Sequence, residues 1–243
     1  MIFSQLLTER LKLESIAAAV NNMNNIGYVF SGIRHEIGNP LNSIKMALSV
    51  LLNNIDTYST RGIKDYLERS MTEILRIEEL LVCLKSFNMY EHMSLQRVDV
   101  SSYVQKFISL VREDFNSDGI ELKSILHPEA RFMRVDPRAL QQVLLNILTN
   151  AADALDGAED PKIVIHAFRA DHRIVLRVSD NGCGMTEEQQ DDLFKPFVTS
   201  KPTGTGLGLT IAKKMLSQME CFLDIASRTN AGTIVDIAIP AAG

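Results

Sequence analysis

The sequence predicts a chain in two parts: a long helical hairpin, then an α/β sandwich in which helices cover one mixed sheet. Three observations carry this. Before about residue 97 the apolar residues recur with a helical rhythm. After it, short alternating segments interchange with helical ones. Two glycine-bearing loops, one following a strand and one entering a helix, lie in this second part. The expected divisions are a coiled linker helix over 1–25, the hairpin over 26–96 and the sandwich over 97–243.

In the first part, Ile26, Phe30, Ile33, Ile37, Leu41, Ile44, Leu48, Leu51 and Ile55 are spaced by three or four residues throughout. That is the seam of a helix packed in a bundle. Ser59, Thr60 and Gly62 supply turn and cap chemistry, and a second seam runs through Ile63, Leu67, Ile74, Ile77, Leu81 and Leu84. Two helices alone bury little, so the hairpin is expected to pair with a second copy as a dimeric four-helix bundle. Leu6, Leu7, Leu11, Leu13 and Ile16 extend the helical pattern upstream.

In the second part, residues 101–115 read as a helix capped by Ser101 or Ser102. Segments 120–125 and 131–135 read as short strands, and 137–155 as a helix with Pro137 in its first turn. Strands are expected over 162–168 and 173–179, joined by a turn at Asp171 and His172. A helix over 187–194 leads into a loop rich in Pro, Thr and Gly. A helix over 207–218 and strands over 221–227 and 233–239 complete the chain.

Composition excludes several classes. Hydrophobic residues make up 46% and charged residues 23%, ordinary for a globular protein. No apolar run approaches the roughly 18–20 residues that span a bilayer. Glu9, Arg10, Lys12 and Glu14 interrupt the first residues, so no signal peptide is expected. A net charge of −5 argues against general nucleic-acid binding. Cys83, Cys183 and Cys221 show no CxxC spacing and are expected as free thiols in a reducing compartment.

Chemistry concentrates in the loops and on one helix. Asp180-Asn181-Gly182-Cys183-Gly184 follows a strand directly. An acid at a strand end, with glycines that allow close backbone approach, suits the amino group of a flat ring. Gly204-Thr205-Gly206-Leu207-Gly208 enters a helix, where free N–H groups and the helix dipole favour phosphate. A tight turn and a helix entry would explain either segment taken alone. Gln142, Asn146 and Asn150 are spaced by four on one helix face. Asn is a poor helix-interior residue, and its carboxamide oxygen can ligate Mg²⁺ without adding charge. An amide pair bonded to neighbouring backbone is the plainer explanation. On the first helix His35 lies two residues from both Ile33 and Ile37 and so points away from the seam, with Glu36 beside it and Asn39 one turn on. A neutral imidazole is a good nucleophile when a carboxylate can take its proton. Pro40 is expected to kink the helix just past this point.

Taken in order, these segments resemble the sensor histidine kinases. His35-Glu36-Ile37-Gly38-Asn39-Pro40-Leu41 is similar to the phosphoacceptor H box, and Asn146-x-x-x-Asn150-Ala151 to the N box. Asp180-x-Gly182-x-Gly184 resembles the first glycine box, Phe194-Lys195-Pro196-Phe197 the F box, and Gly204-Thr205-Gly206-Leu207-Gly208-Leu209 the second glycine box. The resemblance covers the chain from about Ile26 to Pro240. It implies that the hairpin is the dimerisation and histidine phosphotransfer region, and that the sandwich is an ATP-binding domain of the histidine kinase, gyrase and chaperone type.

The resemblance also implies roles. His35 would be the catalytic nucleophile toward ATP, with Glu36 taking its proton. Asp180 would bind the adenine amino group, with Gly182 and Gly184 shaping that pocket. Asn146 and Asn150 would hold Mg²⁺, Asn150 directly. Lys201 and the backbone at Gly204, Gly206, Leu207 and Gly208 would meet the phosphates. Phe194 and Phe197 would anchor a lid over 198–205. Asn39 resembles the residue that supports phosphatase activity toward the regulator in bifunctional kinases. The implied partners are a second copy of the chain and a response-regulator receiver domain, in the cytoplasm or as the cytoplasmic portion of a membrane-bound sensor with an upstream sensory or transmembrane region. Two departures stand out: Asp153 occupies a position that is basic in many relatives, and the lid is short. Two alternatives compete. A water-activating ATPase of the gyrase kind would carry glutamate where Asn146 stands. A degenerate kinase, kept as scaffold or phosphatase, would not need His35, Asn150, Asp180 and the glycines intact.

Overall fold

A computed structural model describes residues 37–89, 93–199, 201 and 206–242. The chain divides into two compact units, residues 1–82 with 201–205 and residues 83–200 with 206–243.

In the first unit, helix α1 runs through the described residues 37–54 and α2 through Thr60–Met89. Asn54 closes α1: its carbonyl accepts the N–H groups of Thr57 and Tyr58 at 3.0 and 3.1 Å. Ser59 opens α2, its Oγ accepting the Gly62 N–H at 3.2 Å. The Tyr58 and Tyr66 rings, 5.7 Å apart, pack the turn onto α2. Leu51 and Ser70 are buried, Ser70 by donating to the Tyr66 carbonyl at 2.9 Å. Among the described residues, the seam expected from sequence is only partly covered. Leu41, Leu48, Ile55, Leu67, Ile74 and Leu81 remain exposed, and beside them Met46 is 70% and Leu52 76% accessible.

The second unit is the sandwich. Its elements in chain order are β1 (Gln96–Asp99), α3 (Val100–Ser117), β2 (Glu121–Leu126), β3 (Phe132–Val135), α4 (Pro137–Ala154), β4 (Lys162–Ala170), β5 (Arg173–Asp180), α5 (Glu187–Asp192), α6 (Gly208–Gln218), β6 (Phe222–Ser227) and β7 (Thr233–Pro240). Five strands form one sheet in the order β2-β4-β5-β7-β6, parallel only between β2 and β4. β1 and β3 pair antiparallel as a separate ribbon. Strand alternation explains the core. Ile163, Ile165 and Ala167 of β4, Ile174, Leu176 and Val178 of β5, and Val235, Ile237 and Ile239 of β7 are buried. Against them lie Leu140, Val143, Leu144, Ile147, Leu148 and Ala151 of α4, with Ile211, Met215 and Leu216 of α6.

Two local expectations need correction. Asp99, not Ser101 or Ser102, caps α3, its Oδ1 accepting the Ser102 N–H at 2.8 Å. β1 ends on that cap and was not expected as a strand. α4 is likewise opened by an aspartate: Asp136 is 1% exposed and accepts the N–H groups of Arg138, Ala139 and Ser94. That last bond, at 2.9 Å, ties the segment entering β1 to the start of α4.

On the face of the sheet away from the helices, His127 and His166 stack with ring centres 4.8 Å apart, and Phe168 lies 5.2 Å from His166. Nε2 of His166 is buried without a hydrogen-bond partner. Burial first, and then the neighbouring His127 and Arg177, hold its pKa below the usual value. The folded state therefore binds this proton less readily than the unfolded state. The stability His166 contributes is present at neutral pH and is lost as pH falls through the ordinary histidine range. Between about pH 7 and about pH 5, His166→Phe should lose stability less steeply than the parent in thermal melts. Identical slopes would refute the assignment.

Candidate functional site

The site is built on α4. At its C-terminal end the Ala154 carbonyl accepts the Cys183 N–H at 2.9 Å, and a Cβ added to Gly182 would collide with that same carbonyl. The first glycine loop therefore lies directly against the helix end, and only glycine fits at 182. Asp180 stands at the end of β5, where its Oδ1 accepts the Gly182 N–H at 2.9 Å and the Thr233 N–H at 3.1 Å. One carboxylate oxygen is thus fixed by backbone. Burial pushes the Asp180 carboxyl up, against the pull of these two donors.

Ser227 stitches the rest of this loop together. Its Oγ accepts the Met185 N–H at 2.9 Å and donates to the Gly232 carbonyl at 3.0 Å. Gln190 donates to the Ser227 carbonyl at 3.2 Å. Thr186 and Gln189 form a reciprocal capping box at the start of α5. Gly184 has φ +65°, and an added Cβ would overlap the Arg228 carbonyl.

Two turns of helix nearer the α4 N-terminus, about 12 Å from Ala154, Asn146 holds the second glycine segment. Its Nδ2 donates to the Gly208 carbonyl at 3.1 Å, and its Oδ1 accepts from Gln142 Nε2 at 3.2 Å. Gly208 opens α6. Where α3, α4 and α5 begin with side-chain caps, α6 begins at Leu207 with none. The positive end of the helix dipole lies at this start. Asn150 lies one turn beyond Asn146 on the same face, between the two loops.

Phe194 and Phe197 are both fastened to the segment that opens α6. The Phe197 N–H donates to the Gly206 carbonyl at 3.2 Å, both residues having positive φ (+65° and +63°). Thr210 Oγ1 donates to the Phe194 carbonyl at 3.3 Å, and Lys213 Nζ sits 4.2 Å from the centre of the Phe194 ring.

The structure thus brings Asn146, Asn150, Asp180, Gly182, Gly184, Gly206, Leu207 and Gly208 into one unit. Lys201 falls with the first unit. Asn39 is exposed on α1. His35, Glu36 and Gly204 lie outside the described residues. Thr233 and Ser227 were missed by sequence reasoning, although Gly232-Thr233 opening the last strand was a signal available to it.

Residues 25–87 match the family described as His Kinase A (phospho-acceptor) domain. Residues 135–243 match the family described as Histidine kinase-, DNA gyrase B-, and HSP90-like ATPase. The chain is 28% identical over 240 residues to the signal transduction histidine-protein kinase AtoS of Escherichia coli (strain K12), a match covering 99% of this chain and 39% of the relative. With the sensor histidine kinase ZraS of Klebsiella oxytoca it shares 29% identity over 243 residues, covering 99% and 52%. The chain therefore spans roughly half or less of the length of these curated relatives. Its fold resembles that of histidine kinase ThkA, solved in complex with response regulator protein TrrA, at a TM-score of 0.72 and 18% identity over 95% of this chain and 66% of that one. A phospho-acceptor domain followed by this ATPase domain, with relatives named as histidine kinases, places the chain in the sensor histidine kinase family.

Proposed function

We propose that the chain binds ATP in the sandwich and moves its γ-phosphoryl to His35, from which it passes to an aspartate of a response-regulator receiver domain. The observation that carries this is the start of α6, which has no side-chain cap and is tethered to Asn146 at the middle of α4, with the anchored carboxylate of Asp180 leading into the loop packed on the helix's C-terminal end. The helix start suits phosphate; the carboxylate suits a ring amino group.

Asp180 Oδ2 accepts from the adenine amino group, while Gly182 and Gly184 leave room for the ring. The N–H groups at Gly206, Leu207 and Gly208 hold phosphate oxygens, joined by Gly204 and Lys201. Asn150 would hold Mg²⁺ as a direct ligand, and the ion would supply neutralisation of phosphate charge. Asn146 is already engaged by Gln142 and Gly208, so it supports that ligand set from behind unless the Gln142 bond opens. An imidazole nitrogen of His35 forms the new bond to phosphorus as the bridging oxygen leaves with ADP, and Glu36 takes the imidazole proton. Transfer of label from ATP to His35 is the direct test.

The working unit is proposed to be a homodimer in the cytoplasm. Leu41, Leu48, Leu52, Leu67, Ile74 and Leu81 form an apolar face too extensive for a lone hairpin, and a second copy would bury it as a four-helix bundle. Among the described residues no helix is long and apolar enough to cross a membrane.

A second activity rests on Asn39, exposed on α1 and four residues after His35 in the sequence. Its likeness to the residue that supports phosphatase activity in bifunctional kinases supports a role in orienting a water for removal of phosphate from the regulator. Asn39→Ala should slow dephosphorylation of the phosphorylated regulator about 100-fold, the scale expected when a reacting water loses its alignment, while still accepting label from ATP. Equal dephosphorylation rates would remove the phosphatase from the account.

A further inference from the structure

A second concave site lies elsewhere in the sandwich, where the β1–β3 ribbon meets the end of β4, the start of β5 and the segment after β7. It is a cavity of about 290 Å³ lined by Arg97, Arg131, Arg169, Glu129, Phe132 and Ile174, with Ala241 and Ala242 completing the wall. The guanidinium carbons of Arg97 and Arg131 lie 3.5 and 5.6 Å from the centre of the Phe132 ring. Two like charges are thus gathered at one aromatic ring, a position that favours each cation singly but not both together. Among the described residues neither forms an ion pair, although Glu129 is at the same cavity. Among the described residues Arg169 engages its Nε, donating to the Asp171 carbonyl at 3.1 Å, and the outer fork has no partner there. The wall is fixed by backbone: Ala242 N–H donates to the Phe132 carbonyl at 2.9 Å and Ala241 N–H to the His172 carbonyl at 3.0 Å.

We propose that this cavity binds a small organic oxyanion, its charged head between Arg97 and Arg131 and its apolar body toward Ile174 and Ala241. Guanidinium forks match phosphate and carboxylate oxygens in pairs. An anion placed there also removes the repulsion between the two arginines. This site is separate from the nucleotide site and does not depend on it. None of its lining residues belongs to Asp180, the glycine loops or the polar face of α4.

The test is a titration of the ¹⁵N-labelled chain with phenyl phosphate, benzoate and inorganic phosphate, following the arginine Nε–Hε signals. Single Arg97→Gln and Arg131→Gln variants assign the two resonances. Those two signals should shift saturably with a common midpoint, and phenyl phosphate should saturate at lower concentration than inorganic phosphate. Tighter binding of phenyl phosphate than benzoate assigns a phosphate head, and the reverse assigns a carboxylate. The double variant should bind at least about tenfold more weakly, the scale of one lost charge-assisted bond. Glu129→Gln, a change at an exposed position, removes the competing carboxylate and should tighten binding a few-fold. Non-saturating drift shared by all arginines would overturn the proposal. So would unchanged affinity in the double variant, or unchanged or weaker affinity in Glu129→Gln.

Discussion

Asp180→Asn is expected to lose nucleotide binding while the sandwich stays as stable as the parent or becomes more so. Oδ1 of an asparagine can keep both backbone bonds, to Gly182 and Thr233, so the loop is preserved. What changes is the other arm, where an acceptor oxygen becomes an N–H₂ donor facing the ring amino group. A charge-assisted bond is lost and two donors are opposed, worth roughly 2–3 kcal/mol, or about 30- to 150-fold in affinity. Stability moves the other way. Burial raises the Asp180 carboxyl, so folding favours its protonated form. The stability this group contributes is present at acid pH and is lost as pH rises through its titration. At neutral pH the ionised carboxylate is a burden that an amide does not carry. Calorimetric titration with ADP, alongside a melting curve, checks both halves. Parent-like affinity, or a collapse of the fold, would contradict the role assigned to this carboxylate.

Gly184→Ala is the largest expected loss of stability. Its backbone has φ +65°, a conformation that costs an L-residue roughly 1–2 kcal/mol before any contact is considered. The new methyl would also overlap the Arg228 carbonyl, and the Gly232 carbonyl would lie 3.2 Å from it. Relief requires moving the turn between β6 and β7, which carries Thr233 and so one of the two donors to Asp180. About 3 kcal/mol in total is a reasonable expectation, read as a lower midpoint in urea with nucleotide affinity falling alongside. Gly38→Ala provides the contrast. Among the described residues nothing lies within 4 Å of an added Cβ there, so the helix should gain roughly 0.5–1 kcal/mol. Equal effects at the two positions would mean that the local geometry around Gly184 is not what decides its identity.

Much of the fold was legible because period and punctuation are local. The alternation of Ile163, Ile165 and Ala167 marks β4, and Pro137 marks the start of α4. What escaped is short or distant. β1 has four residues, three of them polar or charged, and is a strand only because β3 pairs with it. The cap of α3 was misassigned because Asp99, Ser101 and Ser102 offered comparable side chains within one turn. The site divides in the same way. The glycines and Asp180 announce themselves in short motifs, whereas Thr233 reaches Asp180 across 53 residues and Ser227 reaches Met185 across 42. Asn146 shows both limits at once. Its spacing from Asn150 pointed to metal, yet its amide is engaged by Gln142 and by Gly208, 62 residues away. The apolar seam of the hairpin leaves Leu41, Leu48, Ile55, Leu67, Ile74 and Leu81 exposed among the described residues, and no local signal says what covers them.

The central claim is that His35 receives the phosphoryl group of ATP. Incubation of the chain with γ-labelled ATP and Mg²⁺, followed by acid and alkali treatment of the denatured product, tests it most directly. The account predicts label that is lost in acid, survives alkali and is absent from His35→Gln. No label on the parent chain, label stable to acid, or undiminished label on His35→Gln would contradict it.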